Sequence, residues 1–204
     1  MTSVWNKIST AITQPSTFFG ATETRENQQI LQPEAPQFTI SSNRGIWNGD
    51  PRFIKNGSEI SSRQLFKRPL VVAFYSTEWK EYAEDYLQKL LDVQQQIKSL
   101  GGHLLVITDA SQRELRQLAT CTDLQLNLYA DPENLIAEQF GVYDAENPVY
   151  NRVSGIEKNV PLLAAFVISS LRRILYKHVN HFDGNGALPV KRLLEAVNLS
   201  AHIN

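Results

Sequence analysis

The sequence predicts a three-layer α/β domain in which helices cover both faces of a central sheet. Residues 70–75 and 104–108 form continuous apolar runs, which are typical of strands buried on both faces. A helical pattern of apolar residues follows each run. This alternation of strands and helices favours right-handed crossovers between parallel strands.

The first long helix is predicted after the strand at residues 70–75. Its apolar side chains recur at intervals of three and four residues, which places them on one helix face: Ala83, Tyr86, Leu87, Leu90, Val93, Ile97 and Leu100. Gly101 can adopt the left-handed conformation that commonly ends a helix. We therefore expect one amphipathic helix that ends at this glycine.

Capping signals predict two further helices. Ser111 and Glu114 have the spacing of a capping box, so a second helix is expected after the strand at residues 104–108. After an apolar strand at 126–129, Asp131 is expected to cap a third helix that has Pro132 at its first position. Phe140-Gly141 supplies the stop signal for that helix.

The C-terminal part of the chain predicts a surface insertion, a strand pair and a helix. Residues 143–160 carry charges without a clean period, which is typical of an irregular segment. Short strands at 164–169 and 173–180 are separated by a tight turn, which indicates an antiparallel pair. Residues from Pro189 to Val197 predict the final helix.

The N-terminal segment is polar and has no clear period. We therefore expect residues 1–35 to form a loosely ordered arm or a dimer contact, and residues 36–204 to form the folded domain. At the start of that domain, strand-like residues 38–40 precede a turn-rich stretch at 48–57, which predicts a hairpin.

The composition excludes several classes of function. Twenty basic and 21 acidic residues give a formal net charge of -1, which provides no global field to attract nucleic acid or anionic lipid. The single cysteine, Cys121, excludes an internal disulfide and a cysteine-rich zinc cluster. Residues 1–20 lack the apolar centre of a secretory signal, so we expect a cytoplasmic protein. We also expect no membrane partner and no cofactor.

Several short motifs occur in an order that resembles peroxiredoxin-like proteins of the alkyl hydroperoxide reductase and thiol-specific antioxidant group. They are Pro-Gln-Phe-Thr-Ile at 36–40, Pro-Leu-Val-Val-Ala-Phe-Tyr at 69–75, Tyr-Ala-Asp-Pro-Glu at 129–133, Phe-Gly-Val at 140–142, and Pro161 followed by Ala-Phe-Val-Ile at 165–168. The resemblance covers residues 36–199. It implies a thioredoxin-like α/β/α sandwich with a central mixed sheet.

The resemblance also implies where catalysis would occur. In this family the first core strand delivers a peroxide-attacking cysteine to the next helix, within Pro-x-x-x-Thr-x-x-Cys. That pattern places Ser76, Lys80 and Ala83 at the proline, threonine and cysteine positions. The related Trp-Cys-x-x-Cys pattern, read from Trp79, places Lys80 and Ala83 at the two cysteine positions. The family's arginine falls at Leu163, so no catalytic residue is carried over.

Attack on peroxide requires a thiolate, which alanine cannot supply. Lys80 cannot replace it, because an exposed amine stays protonated, and we expect this side chain to be in solvent or paired with Glu84. The sequence therefore favours a non-catalytic binding or interaction module, with a homodimer and an unknown protein or small molecule as candidate partners. The alternative is an antioxidant oxidoreductase that acts atypically through Cys121 or through a partner's thiol.

A pocket near the degenerate site is a second candidate feature. Trp79, Lys80, Tyr82 and Pro161 could line it, together with Trp47 and Tyr86; ordinary core packing is the simpler interpretation. Cys121 lies near the end of the second predicted helix, where a buried and inert thiol is the default.

Two polar groups have simple interpretations. His178 and His181 are three residues apart on a predicted strand, so they point to opposite faces and no metal site is predicted. Four acidic residues near the start of the first long helix are interpreted as solvated charges rather than as an acid-base pair: Glu78, Glu81, Glu84 and Asp85.

Overall fold

The computed structural model describes residues 33–48, 58–122, 125–182 and 186–203. Residues 1–32 of the predicted arm lie outside the described part of the chain, and so do residues 49–57 of the predicted turn-rich stretch. From residue 33 onward the chain is hydrogen-bonded to the rest of the domain. Ala35 N donates to Arg172 O at 2.7 Å, and Ile174 N donates to Pro33 O at 2.9 Å.

A six-stranded mixed sheet forms the centre of the domain, as the resemblance implies. The described strands are β1 (Thr39–Ser41), β2 (Gly45–Ile46), β3 (Glu59–Ser61), β4 (Leu70–Tyr75), β5 (His103–Thr108), β6 (Asn127–Ala130), β7 (Ala164–Ile168) and β8 (Ile174–Val179). The order in the sheet is β2-β6-β5-β4-β7-β8, in which β4, β5 and β6 are parallel. β1 pairs separately with β3 in the antiparallel sense, while β2, which lies between them in sequence, joins the central sheet.

Helices cover both faces of this sheet. They are α1 (Ser62–Leu65), α2 (Glu81–Ser99), α3 (Gln112–Thr122), α4 (Leu135–Gln139) and α5 (Val190–His202). α2 and α5 contact each other, whereas α3 contacts β2 and β6. Every residue of β4 is buried, which confirms the prediction of a strand covered on both sides.

The predicted amphipathic face of α2 is confirmed. Six of its apolar side chains are buried, namely Ala83, Tyr86, Leu87, Leu90, Val93 and Ile97. Gly101 follows the helix with a φ of 79°, a conformation that glycine adopts without the clash a Cβ would cause. The sequence pattern therefore located both the helix and its end.

Two other local predictions are also confirmed. Ser111 and Glu114 form a reciprocal capping box, in which Ser111 N donates to Glu114 Oε2 at 2.8 Å and Glu114 N donates to Ser111 Oγ at 3.3 Å. β7 and β8 form the expected antiparallel pair. Residues 143–160 contain only one short 3-10 turn, Val149–Asn151.

The predicted start of α4 is wrong. Pro132 lies in a turn rather than at the first helical position, because Asn134 adopts a left-handed φ of 57° and α4 begins at Leu135. Asp131 still caps the helix, but across this turn. Its carboxylate accepts backbone N–H bonds from three successive residues at 2.9–3.2 Å, namely Leu135, Ile136 and Ala137.

Replacement of Asp131 with alanine should lower the free energy of unfolding by about 2 kcal/mol, because the cap of α4 is lost. Urea unfolding followed by circular dichroism measures this change. Glu138→Ala is the matched control, since Glu138 is an exposed carboxylate on the same helix. Equal urea midpoints for the two variants would contradict the capping role.

Candidate functional site

Ser76 anchors the turn that follows β4. It is buried; its hydroxyl donates to Asp109 Oδ2 at 3.0 Å and accepts the backbone N–H of Glu78 at 3.3 Å. A short 3-10 turn, Thr77–Trp79, then leads into α2. The sequence resemblance aligns the family's catalytic cysteine with Ala83, in the first turn of that helix.

Trp79, the last residue of this 3-10 turn, packs inside the protein. Trp79 is only 2% exposed, and its Nε1 donates to the Pro161 carbonyl oxygen at 2.8 Å. Its ring lies parallel to the ring of Phe182, with a centroid distance of 3.8 Å and an interplanar angle of 9°. Tyr82 packs edge-on against Phe182 at 5.5 Å. The turn is therefore closed by aromatic packing and by a buried hydrogen bond.

Lys80 has a strained backbone at the start of α2. Its φ of 52° and ψ of -127° lie in a region that residues other than glycine rarely adopt. Its carbonyl oxygen accepts the N–H groups of Ala83 and Glu84 at 2.9 and 3.1 Å, so the strain is held where the helix begins. The side chain is exposed, in agreement with the first of the two expectations, solvent exposure or pairing with Glu84. Its Nζ donates to Gly155 O at 3.3 Å.

Ala83 and Leu163 occupy the positions that the resemblance aligns with the family's cysteine and arginine. Each is 1% exposed, and neither side chain can ionise or donate a hydrogen bond. Next to Leu163 in sequence, the Ala164 carbonyl oxygen accepts the hydroxyl of Tyr86 at 2.5 Å. The pKa of Tyr86 is raised well above its ordinary value by burial, so this hydroxyl stays a donor.

A cleft of about 350 Å³ lies beside the first turns of α2. Tyr82, Tyr86, Leu163 and Phe182 contribute to its walls. Of the residues named for a pocket from the sequence, Tyr82 and Tyr86 thus line this cleft, while Trp79 stacks on Phe182 of its wall. Binding of a ligand by the predicted group of Trp79, Lys80, Tyr82 and Pro161 stays a prediction.

A second cavity, of about 500 Å³, lies where β4, β5 and β6 end, and we call it the carboxyl-end crevice. Its lining includes Thr77 and Glu78 after β4, Asp109 after β5, Pro132 and Asn134 after β6, Glu114 on α3, and Lys158. Open α/β sheets generally bind ligands at this edge. Sequence reasoning did not single out Asp109 or Lys158, although a polar residue directly after a buried parallel strand is a usable signal.

Charged groups in the carboxyl-end crevice influence one another. Lys158 Nζ lies 2.7 Å from Glu78 Oε1. Burial raises the pKa of Asp109, and the charge of Glu78 adds to that rise, while the hydrogen bond from Ser76 opposes it. The pKa of Glu114 is lowered, chiefly by its hydrogen bonds from Ser111.

Two further candidate residues are Trp47 and Cys121. Trp47 stacks on Tyr129 at the β2 edge of the sheet, which fits the interpretation of this residue as ordinary packing rather than as part of a pocket near α2. Cys121 lies in the last turn of α3, and its side chain lies outside the described part of the structure.

Among the described residues, no three His, Cys, Asp or Glu side chains are grouped as metal ligands. No helix in the described part of the chain is long and apolar enough to cross a membrane.

Residues 32–177 match the family model described as AhpC/TSA family. The chain belongs to the AhpC/TSA family. No curated protein matches it significantly. The family assignment therefore rests on a match that covers well over half of this chain, including the turn at Ser76 and the positions of Ala83 and Leu163.

Solved structures of peroxiredoxins share the fold of this AhpC/TSA protein. Enterococcus faecalis AhpC has a TM-score of 0.62 at 16% identity, and the match covers 83% of this chain and 91% of that one. The peroxidoxin BcpB of Mycobacterium tuberculosis has a TM-score of 0.58 at 15% identity, with 83% and 96% covered. The reduced 2-Cys peroxiredoxin of Plasmodium vivax has a TM-score of 0.62 at 15% identity, with 82% and 80% covered.

Replacement of Lys80 with glycine should raise the free energy of unfolding by about 1 kcal/mol, because glycine removes the Cβ strain at this backbone conformation. Urea unfolding provides the measurement. Gln95→Gly, at an exposed position inside α2, is the control and should destabilise the protein by a similar amount. Destabilisation by both variants would show that Lys80 is not strained.

The stability of the protein should depend on pH through Asp109. Because its pKa is raised above the usual value near 3.8, the folded state keeps this proton to higher pH than the unfolded state does, and stability is lost as pH rises through the raised pKa. Asp109→Asn should therefore match the wild type in acid and exceed it at neutral pH. Urea midpoints across a pH series test this, with the exposed Asp92→Asn as control.

Proposed function

We propose that this AhpC/TSA protein is a binding or interaction module that lacks cysteine-peroxidase chemistry. One observation carries the proposal: the turn aligned with the family's catalytic cysteine holds the buried methyl group of Ala83. A thiolate reacts with peroxide because it is an anion that a helix N-terminus and a nearby cation stabilise. A methyl group cannot be oxidised and regenerated in this way.

The surroundings of Ala83 support the same conclusion. Leu163 replaces the aligned arginine by an apolar side chain, so no guanidinium is supplied to orient a peroxide. The indole of Trp79 closes the turn through its bond to Pro161, which restricts access for a peroxide and for a reducing partner. These contacts favour packing over reaction at this turn.

Exposed aromatic surface supports a binding role. Tyr82 is 63% exposed and lies beside Phe182, at the rim of the 350 Å³ cleft. The lining combines these aromatic side chains with the polar side chains of Asp85 and Asn180, and such a combination of apolar walls and polar groups is typical of binding sites. A homodimer and a cytoplasmic location also belong to this proposal, and sedimentation analysis of the purified chain would test the homodimer.

Hydrogen peroxide consumption in the presence of dithiothreitol should equal the buffer rate for both the wild type and Cys121→Ser. The physical reason is that the aligned turn supplies no sulfur. A cysteine-containing peroxiredoxin measured under the same conditions is the positive control.

Peroxide consumption above the buffer rate would contradict the proposal. If Cys121→Ser abolished that rate, the alternative of an antioxidant oxidoreductase acting through Cys121 would be correct. If an added partner thiol were required, the second form of that alternative would hold.

A further inference from the structure

The 350 Å³ cleft beside the first turns of α2 has a buried floor and an exposed rim, and we call it the aromatic cleft. Tyr86 and Leu163 belong to the floor, because they are only 4% and 1% exposed. Tyr82 and Asp85 belong to the rim, since Tyr82 is 63% exposed and the side chain of Asp85 is 64% exposed. A small molecule can therefore enter past the rim, and the volume suits its head group.

The three aromatic rings that line this cleft are held in place by their neighbours. The rings of Tyr82 and Phe182 stand at 85° to each other, with centroids 5.5 Å apart. Trp79 stacks on Phe182 at 3.8 Å, and the Phe182 N–H donates to Asn180 Oδ1 at 2.8 Å. The hydroxyl of Tyr86 donates to a backbone carbonyl oxygen of β7 at 2.5 Å. These contacts fix the aromatic walls before a ligand binds.

The charge of the lining favours a cation. Asp85 is the only charged residue among the described residues that line the cleft. Leu163 stands at the position aligned with the family's arginine, whose guanidinium would repel a cation from the floor. Asp85 Oδ2 lies 2.5 Å from Lys89 Nζ, and Lys89 is not among the lining residues. A bound cation would therefore share the charge of this carboxylate with Lys89.

Aromatic walls discriminate between kinds of cation. The face of an aromatic ring attracts a positive charge, but it replaces the hydrogen bonds of water poorly. Asp85 Oδ2 and Asn180 Oδ1 already accept bonds from Lys89 and from the Phe182 N–H. A primary ammonium would therefore lose water partners at its N–H donors. A trimethylammonium group has no N–H donor, so it keeps the attraction to the rings without this loss.

We propose that the aromatic cleft binds a small molecule that carries a trimethylammonium group. The methyl groups contact the rings of Tyr82, Tyr86 and Phe182, and the positive charge lies near Asp85. The rest of the molecule extends past the rim into solvent. The inference rests on the proposed binding role, for which it names the class of ligand.

Titration of the full chain with choline, followed by nuclear magnetic resonance, tests this site. The matched neutral probe is the carbon analogue of choline, in which a tert-butyl group replaces the trimethylammonium group. Ethanolamine is the matched primary ammonium. Both probes should bind about tenfold more weakly than choline, because one lacks the charge and the other loses hydrogen bonds to water.

Variants at the rim identify the groups that bind choline. Tyr82→Leu should weaken choline binding about fivefold, because one ring is removed, whereas Tyr82→Phe keeps the ring and should bind as the wild type does. Asp85→Asn should weaken binding about threefold and Lys89→Gln should strengthen it by a similar factor, since these charges are close to solvent. Asp92→Asn, on the same helix and not among the lining residues, should change nothing.

Four results would overturn the inference: no choline binding at millimolar concentration, equal binding of either matched probe, a choline affinity that Tyr82→Leu leaves unchanged, or tenfold tighter binding of a peptide that contains trimethyllysine. Tyr82 and Asp85 are exposed, so variants at these positions should fold as the wild type does. Failure here leaves the absence of peroxidase chemistry standing, whereas peroxide turnover would refute that absence without touching choline binding.

Discussion

The parallel register of β4, β5 and β6 determines where the polar groups of this domain meet. Tyr75 pairs with Thr108, and Thr108 pairs with Ala130, so the strands end at the same edge of the sheet. The next residue in each segment is polar, namely Ser76, Asp109 and Asp131. Each must satisfy backbone or side-chain partners as the chain leaves the sheet. Ser76 binds Asp109, which lines the carboxyl-end crevice, and Asp131 caps α4 directly after the lining residue Asn134.

At the neighbouring turn, this AhpC/TSA protein combines the family fold with apolar packing. The same strand-to-helix connection could present an anion to the positive end of the α2 dipole, but it presents Ala83. Aromatic stacking and the bond from Trp79 to Pro161 stabilise the connection. Fold and chemistry are thus separable, because the sheet positions the turn whatever side chain the turn carries.

Periodicity and capping patterns predicted most of the elements, because burial and backbone hydrogen bonds are encoded locally. The apolar face of α2 and the box at Ser111 are examples. The start of α4 was missed because this sequence is compatible with two local structures. One is a helix that begins at Pro132 after the Asp131 cap, and the other is a left-handed turn at Asn134 before the helix. The crevice was missed for a different reason. Glu78 and Lys158 are 80 residues apart in the chain, and only tertiary structure brings them together.

The stack of Trp79 on Phe182 joins two segments that are distant in sequence, the start of α2 and the loop after β8. Neither segment can detach alone without exposing the large apolar surface of the indole to water. Local fluctuations of the two segments are therefore thermodynamically coupled, and both should exchange their amide hydrogens as a single cooperative unit.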